Sequence, residues 1–208
     1  MTWRRVAAVL ATVFLAFGVL VVARWQPLVG LDRRVDLDAH ALVLAHRSLL
    51  SAARVVTHAG DPLALTLAAV AVAMGLAHSG RRPAAGYVLV ARAAAVVVGF
   101  VAKEVVRRHR PLLAHPVATA VGFSFPSGHA LGSAAFYASV AVVARRSVPA
   151  AVCAAVAVVI PVAVATTRVL LGVHFPSDVA AGLALGWAVA VAAEPATRVA
   201  LTWPATRR

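Results

Sequence analysis

VAAVLATVFLAFGVLVVA, residues 6–23, runs 18 residues without a charge and follows Arg4 and Arg5. A chain that enters a bilayer must satisfy its backbone polar groups internally, and about 20 apolar residues of α-helix cross the hydrocarbon core. This stretch is longer than the apolar region of a cleaved signal peptide, so it reads as a first transmembrane helix. Small residues before Arg24 leave cleavage after Ala23 as the alternative.

Five more apolar stretches follow, at Pro62 to Ala77, Ala84 to Ala102, Ala130 to Ala144, Val148 to Ala165 and Val179 to Ala193. Several are short of a full span, and polar neighbours extend them into the headgroups. From Asp32 to Asp61 the pattern differs. Leu42, Ala45, Leu49, Ala52 and Val56 recur three and four apart, with His40, Arg47, Ser51 and Arg54 on the other side. That period predicts an amphipathic helix lying at the interface. The expected fold class is all-α, a polytopic membrane helical bundle with six transmembrane helices and one interfacial amphipathic helix. It forms a single membrane-embedded domain over 1–208, with its core at 62–194 and the first transmembrane and interfacial helices in 1–61. Pro161 should kink the fifth span, and Arg92 must snorkel or find a partner inside the bundle.

Composition agrees with a membrane setting: 62% of the 208 residues are hydrophobic, and the mean hydropathy is +0.89. Twenty basic residues against seven acidic ones give a net charge of +13, which suits anionic headgroups or phosphorylated substrates. The arginines are dispersed between apolar runs instead of forming one basic face, so no nucleic-acid partner is expected. Cys153 is the only cysteine, which excludes a disulfide framework and a thiolate metal site. Arg81 with Arg82, Arg145 with Arg146 and the tail arginines fall on the side of a cytoplasmic N-terminus. Trp3, Trp25 and Trp203 read as interface anchors. The protein is expected in the cell membrane as a multi-pass chain, with Lys103, Pro126 to His129 and Arg168 to Asp178 all on the extracytoplasmic side.

Those three segments carry chemistry. Lys103 is the only lysine; with Arg107 and Arg110 it is spaced by four and three, so a helix continuing past the membrane would present them on one face. Lysine and arginine there serve as oxyanion ligands or as a basic collar against anionic lipid, with Glu104 and Arg108 an ordinary helix pair. Pro126-Ser127-Gly128-His129 opens a helix whose unpaired amides and positive end suit phosphate; the plain alternative is a good helix start with an interfacial histidine. Thr167-Arg168 and His174-Phe-Pro-Ser-Asp178 place a carboxylate four residues from an imidazole. An aspartate bonded to one ring nitrogen orients the other as a nucleophile; alternatively Ser177 or Asp178 caps a helix and His174 touches headgroups. His40, His46, His58, His78, His109 and His115 have no motif support and are read as surface or interfacial, with His109 held open beside Arg110.

Together the segments match Lys-x6-Arg-Pro, Pro-Ser-Gly-His and Ser-Arg-x5-His-x3-Asp, with Thr167 where the family usually has serine. The chain thus resembles the type 2 phosphatidic acid phosphatase (PAP2) family, in particular its membrane-bound lipid phosphate phosphatases. The resemblance implies that His174 attacks a phosphomonoester or diphosphate and forms a phosphohistidine that water hydrolyses. It implies that Asp178 orients His174, that His129 protonates the leaving oxygen, and that Lys103, Arg110, Arg168, Ser127 and Gly128 hold the phosphoryl oxygens. No metal or other cofactor is implied. The implied substrate is a lipid phosphate such as phosphatidic acid, phosphatidylglycerol phosphate or a polyprenyl diphosphate like the carrier lipid of cell-wall assembly (an undecaprenyl diphosphatase activity). A vanadate-dependent haloperoxidase-like enzyme and a non-catalytic lipid-phosphate binding or transport protein are the rival readings.

Overall fold

The structure is a computed structural model and describes residues 3–193; Trp203 and the tail arginines lie outside the described residues. Helix α1 spans Trp3–Val22, α2 Gln26–Ala45, α3 Arg47–Thr57, α4 Pro62–His78, α5 Arg82–Val106, α6 Gly128–Ala144, α7 Ala150–Leu170 and α8 Pro176–Ala193, with a 3₁₀ turn at His58–Gly60 between α3 and α4. Among the described residues, α1, α5, α7 and α8 are long and apolar enough to cross a membrane. The bent pair Arg47–Gly60 and Pro62–His78, at 45°, makes a fifth when taken as one span. Helix α6 is shorter, at 17 residues.

The helix ends have local causes. Asp61 caps α4, its carboxylate accepting from Leu63 N at 2.9 Å and Ala64 N at 3.0 Å, with Pro62 in the first turn. Arg107, left-handed at φ 48°, stops α5. Pro161 lies inside α7, which is helical on both sides of it. The Arg92 guanidinium inside the bundle finds its partners on α4, donating to Pro62 O at 2.7 Å and Thr66 Oγ1 at 2.9 Å.

Helix α6 is the centre, packed against α5, α7 and α8. Its approach to α8 is close because α8 presents Gly182 and Gly186. A Cβ on Gly182 would stand 2.7 Å from Ser127 O, and one on Gly186 2.7 Å from Ala134 Cβ. Small residues four apart allow this backbone contact without a hydrophobic drive between helices. The end of α5, the start of α6, the end of α7 and the start of α8 are tied together by the bonds described below, which gathers all three motif segments at one end of the bundle.

The single amphipathic helix expected from Asp32 to Asp61 is two helices, α2 and α3, broken at His46, whose backbone is extended. Leu42, Ala45, Ala52 and Val56 are exposed, but so are Arg47, Ser51 and Arg54, whereas the inward face of α2 is polar: Asp32, Asp36 and His40 are buried. His40, expected at the surface, is therefore interior.

Candidate active site

Gly172 terminates α7. At φ +66° it occupies the left-handed region that glycine tolerates, while Gly172 N and Val173 N bond back to Val169 O and Arg168 O. This turn aims His174, two residues on, into the bundle, where it is buried. Asp178 then serves two partners. Its Oδ2 accepts from Phe175 N at 2.9 Å, the return bond of a helix-start box, and faces His174 Nδ1 at 3.6 Å. That approach is longer than a hydrogen bond, and Nδ1 has no hydrogen-bond partner.

On the other side of the ring, Nε2 of His174 lies 3.1 Å from Arg110 Nη1. A guanidinium can only donate, so Nε2 carries the lone pair and the proton is assigned to Nδ1, toward Asp178. Burial, helped by the Arg110 and Lys103 cations, pushes the imidazole down from 6.5 to about 4 against the pull of Asp178. The ring is neutral at pH 7, with its Nε2 lone pair accepting from the Arg110 guanidinium.

Lys103, Arg107 and Arg110 do not share a helix face as expected, because α5 ends at Val106. Lys103 and Arg110 converge through the following loop instead. Lys103 Nζ donates to Phe123 O at 2.6 Å, and Arg110 donates to Gly122 O at 2.9 Å and Val173 O at 2.7 Å. Arg107 turns outward to Glu104, 3.6 Å away, in an exposed pair. Glu104 does not pair with Arg108, which turns inward. The Ser124 amide and hydroxyl bond Arg108 O and His109 O, strapping the loop to the segment before Pro126; the His109 side chain is exposed.

Ser127 and His129 come from the start of α6. The Ser127 amide, expected to face phosphate, is taken by Asp178 O at 3.0 Å, which locks the second motif onto the third. Its hydroxyl, buried, has no partner. Gly128 begins the helix. His129 is half-buried, within electrostatic range of Arg168, His174 and Arg110. Arg168 is buried, bonded through Nη1 to Thr57 Oγ1 at 2.8 Å, and its Nε has no partner. The Thr167 hydroxyl bonds Val164 O at 2.6 Å, within its own helix, and so is not directed at the site.

Orphaned buried polar atoms are rare in folded proteins, and the second and third motif segments hold three of them, on Ser127, Arg168 and His174. The sequence reading missed Thr57, Asp32 and Arg108. Asp32 Oδ1 accepts from Ser177 N at 2.9 Å and Oδ2 from Arg108 Nη2 at 2.7 Å, while Arg108 Nη1 donates to Asp178 Oδ1 at 2.6 Å. The available signal was the four-residue spacing of Asp32, Asp36 and His40, which puts three polar side chains on one face of α2. Among the described residues no group of three or more His, Cys, Asp or Glu side chains is arranged to hold a metal.

The PAP2 superfamily model matches residues 84–200. A decaprenylphosphoryl-5-phosphoribose phosphatase of Mycolicibacterium smegmatis is 38% identical over 152 residues, covering 68% of this chain and 76% of that protein. Phosphatidylglycerophosphatase B of Bacillus subtilis is 40% identical over 91 residues, 41% of this chain and 44% of its own length. The crystal structure of a transmembrane PAP2-type phosphatidylglycerolphosphate phosphatase from Bacillus subtilis superposes with a TM-score of 0.74 at 27% identity, covering 89% of this chain and 94% of that one.

Proposed function

The chain belongs to the PAP2 superfamily, and from that premise we propose that it is a membrane lipid phosphate phosphatase working through a phosphohistidine on His174. Its relatives are lipid phosphatases, and the coarse activity is hydrolysis of phosphate esters. The observation that carries the finer reading is the Nε2 lone pair of a buried neutral His174 facing Arg110 at 3.1 Å, with unpartnered donors on Ser127 and Arg168 nearby.

In the proposed reaction Nε2 of His174 attacks phosphorus; the N–P bond forms as the P–O bond to the leaving group breaks, and His129, which takes up a proton once the phosphate anion offsets the Arg168 and Arg110 cations near it, gives that oxygen its proton. His129 then takes a proton from water, whose oxygen displaces the histidine and releases phosphate. Nδ1–H stays on the ring throughout, held toward an ionised Asp178. Lys103, Arg110, Arg168, the Ser127 hydroxyl and the Gly128 amide hold the three phosphoryl oxygens as charge redistributes. Side-chain cations do the work a metal does in two-metal phosphatases, so the reaction is metal-independent in this reading.

The substrate class is a phosphomonoester or diphosphate on a lipid: phosphatidic acid, phosphatidylglycerol phosphate, a polyprenyl diphosphate, or a phosphorylated sugar on a polyprenyl carrier of the kind named in the mycobacterial relatives. The fold reading that accompanies it is one domain with six crossings, α1, α4, α5, α6, α7 and α8, with α2 and α3 at the interface. The site opens outward from the cell membrane.

The test is phosphate release by the detergent-purified protein from a panel of these lipids, with His174→Ala beside it and EDTA throughout. Release abolished in His174→Ala is the expected result. No release from any lipid by folded wild-type protein overturns the phosphatase reading, and loss in EDTA that a divalent ion restores overturns metal independence.

A further inference from the structure

Burying a carboxylate costs several kcal/mol unless partners compensate, yet α2 buries Asp32 to 1% exposure beside Asp178, which is fully buried. One guanidinium accounts for both. Arg108 donates from Nη1 to Asp178 and Ser177 Oγ, from Nη2 to Asp32, and lies over the Phe175 ring at 4.2 Å from its centroid. A planar fork fixes the direction of both bonds while its face stacks on the aromatic ring, which the compact point charge of a lysine ammonium does not do. Asp32 closes the loop by accepting from both the amide and the hydroxyl of Ser177.

We infer that Asp32 and Arg108 are positioning residues of the reaction, fixing the rotamer and ionised state of Asp178 and, through it, the ring of His174. The inference rests on the phosphatase reading above. With Oδ1 of Asp178 held by Arg108, Oδ2 is the oxygen left to face His174 Nδ1. When Nε2 bonds to phosphorus the ring gains a positive charge. Two carboxylates and one guanidinium behind it carry one net negative charge, which opposes that developing cation without taking its proton. Of the other groups nearby, Lys103 from α5 and Arg110 from the loop act on the ring itself, Arg168 from α7 and Asp61 before α4 act on the His129 imidazole of α6, and Asp36 from α2 lies within range of Asp32 and Asp178. Asp32 lies outside residues 84–200, so in this account the catalytic arrangement depends on a helix that precedes the family-matched region.

The test uses the full chain in detergent, with a lipid phosphate that the wild type hydrolyses. Asp32→Asn keeps the shape of the side chain and Arg108→Lys keeps the charge. Each is expected to lower kcat at least tenfold with KM within twofold of wild type. The double variant should lose no more than the worse single, because both act through Asp178. Folded Asp32→Asn or Arg108→Lys with kcat within twofold of wild type, an effect on KM alone, or additive losses overturn the inference. Ser177→Ala removes the hydroxyl shared by Asp32 and Arg108 without exposing a buried charge. Where a charge variant does not fold, a threefold or larger fall in the kcat of Ser177→Ala supports the clamp and a smaller fall or none overturns it. Absence of release by the wild type would instead sink the phosphatase reading itself.

Discussion

His174 is the residue on which the proposed chemistry turns, and its protonation can be read from stability. Its folded pKa of about 4 lies below the usual 6.5, so between those values the unfolded chain binds the proton and the native protein does not. Stability from this group is therefore fully present above about pH 6.5 and falls as pH drops toward 4, at a limiting slope of about 1.4 kcal/mol per pH unit. Thermal unfolding in detergent should show the wild type losing more stability from pH 7.5 to 5 than His174→Gln. An equal loss would mean that the imidazole is not held neutral. The motif residues were legible in the sequence because each segment carries its own spacing. The Asp32 to Ser177 contact was not, since it joins positions 145 apart in the chain and no local period encodes a partner at that range. Arg108 was hidden for another reason: a helical count assigns it to Glu104, and only the left-handed Arg107 turns the chain so that it points inward.

Among the elements, α6 and α8 set the distance between the second and third motifs. Ser127 N bonds Asp178 O, and Gly182 lets that bond form by bringing α8 against the Ser127 carbonyl. A methyl at Gly182 meets backbone, which cannot rotate away, so overpacking costs about 1–3 kcal/mol. Gly182→Ala should lower the unfolding temperature and also reduce turnover per folded molecule. Gly75→Ala on α4 meets nothing within 4 Å and gains helix propensity, so it should leave turnover unchanged and the unfolding temperature equal or higher. Equal behaviour of the two variants would dissociate the packing from the site. The helices themselves were legible as apolar runs, with ends given by Asp61-Pro62 and Pro126-Ser127. The break at His46 was not, because the period of Leu42, Ala45, Leu49 and Ala52 continues through it while the backbone does not.

For the whole molecule, the arrangement of ends bears on which way the protein faces. Connections on the far side from the motifs carry the arginine pairs: Arg81 and Arg82 join α4 to α5, and Arg145 and Arg146 follow α6. Arg81 Nη2 donates to Val143 O at 3.0 Å, so the two connections are neighbours. Cytoplasmic connections favour arginine, and the end opposite them, with the phosphate-binding cations set aside as functional, is the one proposed to face outward. In the proposed orientation Lys103, Arg110 and Arg168 add charge to the outer side as phosphate ligands, so a plain count of basic residues masks the topological signal. In a Cys153→Ala background, His115→Cys in the exposed loop beside the site should react with a membrane-impermeant maleimide on intact cells. Ser79→Cys, exposed in the turn after α4, should react only after the membrane is opened. The reverse pattern would put the site on the cytoplasmic face, and the charge of Arg81, Arg82, Arg145 and Arg146 would then have to be explained as headgroup binding at the outer surface.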